Sequence, residues 1–125
     1  MSQEHYRACL EAINACATAC DQCAVACLFE SNRKDLSRCI QLDLDCAELC
    51  RLTAAYLSRS SELVPDVAEL CASACEMCGE ECDRHAMSHC KRCAKACRGC
   101  AHECRAMTRG GRKAVASYGG KPATH

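Results

Sequence analysis

Cysteine supplies the chemistry in this chain. It occupies 17 of 125 positions, at Cys9, Cys16, Cys20, Cys23 and Cys27, then Cys39, Cys46 and Cys50, then Cys71, Cys75, Cys78 and Cys82, then Cys90, Cys93, Cys97, Cys100 and Cys104. Within each group every interval is 3, 4 or 7 residues. That is the spacing of a single helical stripe, the a/d seam of a heptad. Ile13 fills the vacant step between Cys9 and Cys16. Four Cys-x-x-Cys pairs, at Cys20/Cys23, Cys75/Cys78, Cys90/Cys93 and Cys97/Cys100, lie in phase with the seams. Thiols repeated this way offer soft ligands to a common volume, and the chemistry they serve is metal binding.

Three other uses of cysteine fit less well. A short chain this rich in cysteine first suggests a disulfide scaffold. The count is odd, however, and the stretches between cysteines are rich in Ala, Leu, Glu and Arg, which favour helix over loop. The first residues, Met1-Ser2-Gln3-Glu4-His5-Tyr6-Arg7, carry no basic region followed by an apolar run. A reducing cytoplasm is therefore the expected location. As an inert core, leucine and isoleucine would pack better and would not oxidise. Iron–sulfur clusters take four thiolates each, far fewer than a continuous column offers.

Charge separates the candidate metals. Buried uncompensated thiolates are prohibitively costly. A monovalent ion matched one to one with thiolate leaves a neutral column, whereas each tetrathiolate zinc site keeps a charge of −2. The seams carry no Lys or Arg to offset that charge. Cu(I), bridged between sulfurs, is the expected ion, at about one per cysteine. A zinc or general soft-metal buffer is the alternative.

The elements that must position these thiols follow from the same spacing. Four groups predict four helices: residues 3–29, a second capped at Ser31-Asn32 and running to 59, a third with Pro65 in its first turn, and a fourth capped by Ser88 after a tight turn at Ala86-Met87. The fourth should stop at Gly110-Gly111. The fold class is thus all-α, an antiparallel up-down-up-down four-helix bundle over residues 1–110 with a cysteine-lined core. Residues 111–125, with Gly119-Gly120 and Pro122, read as a flexible tail. Charges at Glu11, Asp21, Arg38, Glu48, Arg51, Glu76, Glu80, Lys91, Lys95 and Arg98 fall off the seams.

Antiparallel topology then gives the tube two unlike ends. Tyr6, Thr53, Tyr56, Leu57, Leu63, Val67, Leu70 and Met107 should plug one of them. Cys27, Cys39, Asp43, Cys82, His85, His89 and Cys90 should form a mouth at the other. His85 and His89 extend the third stripe past Cys82 at steps of 3 and 4. Imidazole suits an incoming ion before thiolate takes it. Asp43 falls four after Cys39 and three before Cys46, so strict phase points it inward, with Leu42 competing for the place. Met77 reads as off-seam, Met107 as packing, and His5, His102 and His125 as surface residues.

Other function classes are disfavoured. The 16 basic and 16 acidic residues balance, and aromatic residues are 3%, so neither a basic face nor a stacking platform for nucleic acid is available. No run approaches the roughly 18 apolar residues of a membrane span. No nucleophile–base pair stands out, which argues against an enzyme.

The run Cys16-x3-Cys20-x2-Cys23-x3-Cys27, the block Asp45-Cys46-Ala47-x2-Cys50-Arg51, and His89-Cys90-x2-Cys93-x3-Cys97-x2-Cys100-x3-Cys104 resemble the cysteine-rich four-helix-bundle copper storage proteins, cytosolic branch. The resemblance covers residues 3–108. It implies storage of many Cu(I) ions inside the bundle, a His-lined opening, a homotetramer of bundles, protection against copper toxicity, and exchange with a copper chaperone or efflux partner. Ile13, Asp43 and Thr53 interrupt the cysteine seams and imply a thinner column near them.

Overall fold

A computed structural model describes residues 2–108, and these form four α-helices: α1 (Gln3–Leu28), α2 (Ser37–Ser58), α3 (Val64–Asp83) and α4 (Ser88–Thr108). A single 3-10 turn (Arg33–Leu36) leads into α2. The expected helix stop at Gly110-Gly111 and the tail over 111–125 lie outside the described residues, as does His125. No strand occurs among the described residues, and none of their helices is long and apolar enough to cross a membrane.

Local chemistry sets most of the boundaries. The Ser2 hydroxyl accepts the His5 N–H at 3.0 Å and opens α1. Pro65 lies in the first turn of α3, where its missing N–H costs nothing, and Asp66 sits beside it at the positive end of the helix dipole. After α2, the Ser61 N–H reaches back to the Tyr56 carbonyl and the Ser60 N–H to that of Leu57, both at 3.0 Å. This is a Schellman ending, with Ser60 in the left-handed position (φ 54°) that glycine usually fills.

Two boundaries differ from the sequence expectation. Ser31-Asn32 does not cap α2. Asn32 precedes the 3-10 turn, its side chain makes no capping bond, and α2 starts at Ser37. The turn swings Leu36 into full burial, and an apolar anchor outweighs a polar cap there. Ser88 is the first residue of α4 rather than its cap: the Lys91 N–H bonds to the Met87 carbonyl at 3.1 Å.

Each helix packs its backbone on two neighbours, α1 on α2 and α4, α3 on α2 and α4, and the diagonal pairs meet only through side chains on the axis, as Cys16 does with Cys75 and Cys50 with Cys100. Four antiparallel rods in a ring leave an axis that side chains must fill. Cysteine fills it. All seventeen are buried and unpaired, joined by Ile13, Leu36, Leu57, Val64 and Met107 and by small alanines. Gly79 lets α3 approach α4 closely, since a Cβ there would stand 3.4 Å from Cys97 Cβ. Arg51–Asp21 and Arg105–Glu76 ion pairs, each at 2.7 Å, and the Arg98–Asp83 pair decorate the outside, where such contacts contribute little.

The closed end is real but its composition differs from expectation. Leu57, Met107 and Thr53 are fully buried there, and Tyr6, Tyr56 and Val67 partly so. Leu63 and Leu70, expected in the plug, are 47% and 56% exposed. Val64 and Ala68 take the inward positions instead, because α3 begins one residue later than Leu63 and its face is set by the seam from Ala68 through Cys71, Cys75 and Cys78. Truncating Leu57 to alanine removes apolar packing without touching a thiol. Urea unfolding of the reduced apo form should show a loss of about 2–5 kcal/mol, with metal capacity unchanged.

Candidate metal centre

The thiols form a connected column. From the mouth inward, Cys23, Cys27 and Cys90 lie 3.8–3.9 Å apart, and their sulfurs form a four-thiol group with Cys39 within 4.8 Å of one another. Cys39 meets Cys82 at 3.6 Å, and Cys82 meets Cys78 at 4.0 Å. Cys78 continues to Cys20 at 4.0 Å, and Cys20 to Cys93, Cys97 and Cys16 at 3.6–3.9 Å. Cys16 touches Cys46 and Cys75, Cys75 touches Cys71, and the chain ends through Cys50 and Cys100 at Cys104. Deeper in, four overlapping four-thiol groups share Cys16, Cys20, Cys46, Cys50, Cys75 and Cys97. Shared sulfurs are what bridging coordination requires.

Cys9 stands apart. Its hydrogen bond runs to Glu103 Oε1 at 3.5 Å rather than to another thiol. The connected column therefore holds the other sixteen.

Hydrogen bonds between thiols move the deeper ones in both directions, Cys75 up and Cys46 down, while at the ends of the column the leading cause is burial. It pushes the Cys90 thiol up to about 11, with the Cys39 charge adding to it, and it raises Cys27 as well. Cys9 rises to about 12 through burial first and the Glu103 carboxylate second. Empty, the column is a stack of neutral S–H groups that packs like any small apolar residue. The buried polar or charged residues among those described are Asp43, Thr53 and Glu81, so no Lys or Arg faces the sulfurs. Sulfur spacings alone fit zinc as well as copper. The absence of a buried cation favours a monovalent ion, because thiolate and Cu(I) cancel.

Asp43 is fully buried as strict phase requires, but deeper than a mouth residue. Its Oδ1 accepts S–H bonds from Cys78 at 3.1 Å and Cys93 at 3.2 Å, with Cys82 at 3.6 Å and Cys39 at 4.0 Å to Oδ2. Burial, reinforced by the Cys93 charge, raises its carboxyl to about 8. It is thus largely protonated near neutrality. Thr53, the other polar break in the seam, is satisfied by the Leu49 carbonyl at 2.8 Å.

The two mouth histidines take different places. Helix α3 ends at Asp83, so neither continues its stripe; His85 lies in the turn and His89 in the first turn of α4. His89 Nε2 stands 3.0 Å from Glu30 Oε2. A carboxylate can only accept, so Nε2 carries a proton, and in the neutral ring Nδ1 turns its lone pair to the thiols. Nδ1 lies 3.5 Å from Cys90, 3.6 Å from Cys23 and 3.9 Å from Cys27. His85 Nε2 bonds Glu81 Oε2 at 2.8 Å instead. Glu81, only 5% exposed, also holds Arg38 at 3.2 Å and Arg84 at 3.5 Å. Glu30 and Glu81 escaped sequence reasoning. Glu81 precedes His85 by one helical turn and could have been suspected; Glu30 reaches His89 only through the fold. Met77 is exposed, Met107 is buried packing, and His102 is exposed. Replacing His89 with alanine should slow Cu(I) uptake roughly tenfold in stopped-flow competition with a chromophoric chelator, and change the final capacity by no more than one ion.

A helical ring that turns its thiols onto its own axis defines a container for soft metal ions. The chain belongs to the copper storage protein family, whose sequence profile matches residues 2–109. Its fold is similar to a cytosolic copper storage protein from Streptomyces lividans solved with five coppers, at 43% identity and a TM-score of 0.81, covering 84% of this chain and 92% of that one. The Cu(I)-bound copper storage protein BsCsp3 is similar at 43% identity and a TM-score of 0.80, covering 83% and 98%. The uncharacterised cysteine-rich protein YhjQ of Bacillus subtilis (strain 168) is 43% identical over 88 residues, 70% of this chain and 82% of that one.

Proposed function

We propose that this protein stores Cu(I) in the cytoplasm, holding many ions on thiolates inside the bundle, where they are kept from harmful chemistry and remain available as a reserve. The observation that carries this reading is the continuous sulfur column, with no buried cation among the described residues. The sixteen linked cysteines serve as ligands. His89 receives the incoming ion through Nδ1, with His85 beside it at the rim, and Asp43 is a neutral hydrogen-bond partner deeper in. The similarity to copper-loaded proteins supports the choice of metal.

Each ion that enters replaces thiol hydrogen: Cu(I) bonds to sulfur and the proton leaves to solvent. Transfer between neighbouring sulfurs 3.6–4.0 Å apart then moves copper inward by ligand exchange. No ligand need travel, because every site already faces the next. The bundle assembles as a homotetramer and exchanges copper with a chaperone or efflux partner, with Leu44, Leu52, Leu70 and Met77 as exposed apolar side chains available for contact.

Titration of the reduced protein with Cu(I) tests the reading. Saturation should lie far above four equivalents, of order one per linked thiol, with protons released throughout. Saturation at one or two equivalents, or preferential retention of zinc when both metals compete, would defeat it.

A further inference from the structure

At the closed end, the first turn of α1 and the last turns of α4 bring three unlike donors together. His5 and Cys9 are four residues apart on one face of α1. Glu103 reaches across from α4. One oxygen, Glu103 Oε1, lies 3.2 Å from His5 Nε2 and 3.5 Å from Cys9 Sγ. The Ser2 cap fixes the turn that carries His5. None of the three belongs to the linked thiol column.

We infer that His5, Cys9 and Glu103 form a site for one divalent cation of the zinc class, separate from the copper column and at the opposite end from the mouth. Three observations support it. First, the two separations that meet at Glu103 Oε1 fit. Zinc bonds of about 2.0–2.2 Å to nitrogen or oxygen and about 2.3 Å to sulfur give tetrahedral edges of about 3.4 Å and about 3.6 Å. The N···O and S···O separations are 3.2 and 3.5 Å. Second, the charge closes. One thiolate and one carboxylate neutralise a divalent ion, whereas a four-thiol group around zinc retains two negative charges in a buried setting. Third, the position is accessible. The His5 and Glu103 side chains are 43% and 22% exposed, which leaves room for water as a fourth ligand, while Cys9 is fully buried. Binding is a ligand exchange: the Cys9 S–H bond breaks, a sulfur–metal bond forms, and the proton leaves to solvent. Cu(I), which prefers sulfur neighbours, is less suited to a set with a single thiol.

The test is a zinc experiment on the full, reduced, metal-free chain. One equivalent of Zn2+ should give an anomalous difference peak at the zinc edge bounded by His5, Cys9 and Glu103. In chelator competition, His5→Ala and Glu103→Gln should each weaken zinc retention roughly tenfold or more, with unchanged helicity and Cu(I) capacity. Zinc confined to the four-thiol groups, or retention equal in the variants, overturns the assignment and leaves His5–Glu103 as a surface ion pair. A low copper capacity would defeat the storage reading without moving the zinc peak, so the two failures are distinguishable.

Discussion

Filled with Cu(I), the reduced protein should unfold tens of degrees above its metal-free form. The metal-free bundle is itself expected to be folded, since its thiols are protonated and pack as small apolar groups along an axis flanked by Ile13, Leu57 and Met107. Copper then binds a site that the unfolded chain does not possess. A ligand at 1,000 times its dissociation constant stabilises by about 4 kcal/mol per independent site. In a domain of this size, each kcal/mol raises the melting temperature by roughly 4 °C. Several filled sites therefore exceed the whole stability of an ordinary domain, about 5–15 kcal/mol. Isolated thiols in the unfolded chain also bind Cu(I), which subtracts from the gain. They cannot reproduce the shared sulfurs, because Cys16, Cys46 and Cys75 come from three helices. Circular dichroism melts at increasing copper ratios measure the effect. A melting temperature that moves by only a few degrees at saturation would place the metal on the surface instead of in the column.

Asp43→Asn should flatten the pH dependence of the metal-free protein's stability and make it the more stable form at pH 8. The Asp43 carboxyl rises from 3.8 in the unfolded chain to about 8 in the fold, through burial first and the Cys93 charge next. A group with a raised folded pKa binds its proton more tightly when folded. Its favourable contribution is fully present below about pH 4 and is lost as pH rises through about 8. The span corresponds to an upper limit of about 6 kcal/mol. Thiols raised by burial, such as Cys9 and Cys90, act in the same direction but only above their unfolded value of 9, so the window from pH 4 to 8 belongs to Asp43 in the wild-type-minus-variant difference. Asparagine keeps the shape and an oxygen that accepts from Cys78 and Cys93, and it never ionises. Urea midpoints at pH 4.5 and 8 under reductant provide the comparison. Parallel slopes for the two proteins would show that Asp43 does not titrate between them.

The seam itself was legible in the residues. Spacing at 3 and 4 forces side chains onto one face of a helix whatever surrounds it, so the four helices, their thiol stripe and the inward place of Asp43 follow from period alone. The missing Lys and Arg on those stripes, and with them the preference for a monovalent ion, are equally local facts. Helix starts were less secure. The polar signal at Ser31-Asn32 gave way to burial of Leu36, a gain that exists only once α1 and α2 are packed.

What the fold alone decided are the partnerships across helices. Glu30 with His89, Glu103 with His5 and Cys9, and Glu81 with Arg38 join residues 43 to 98 positions apart. Periodicity specifies which face a residue occupies and carries no information about which residue of another rod stands opposite. Rotation of α3 placed Val64 and Ala68 inside and left Leu63 and Leu70 in solvent. The same long-range geometry separates Cys9 from the sixteen linked thiols: its seam position is like theirs, and only the carboxylate arriving from α4 gives it a different neighbour.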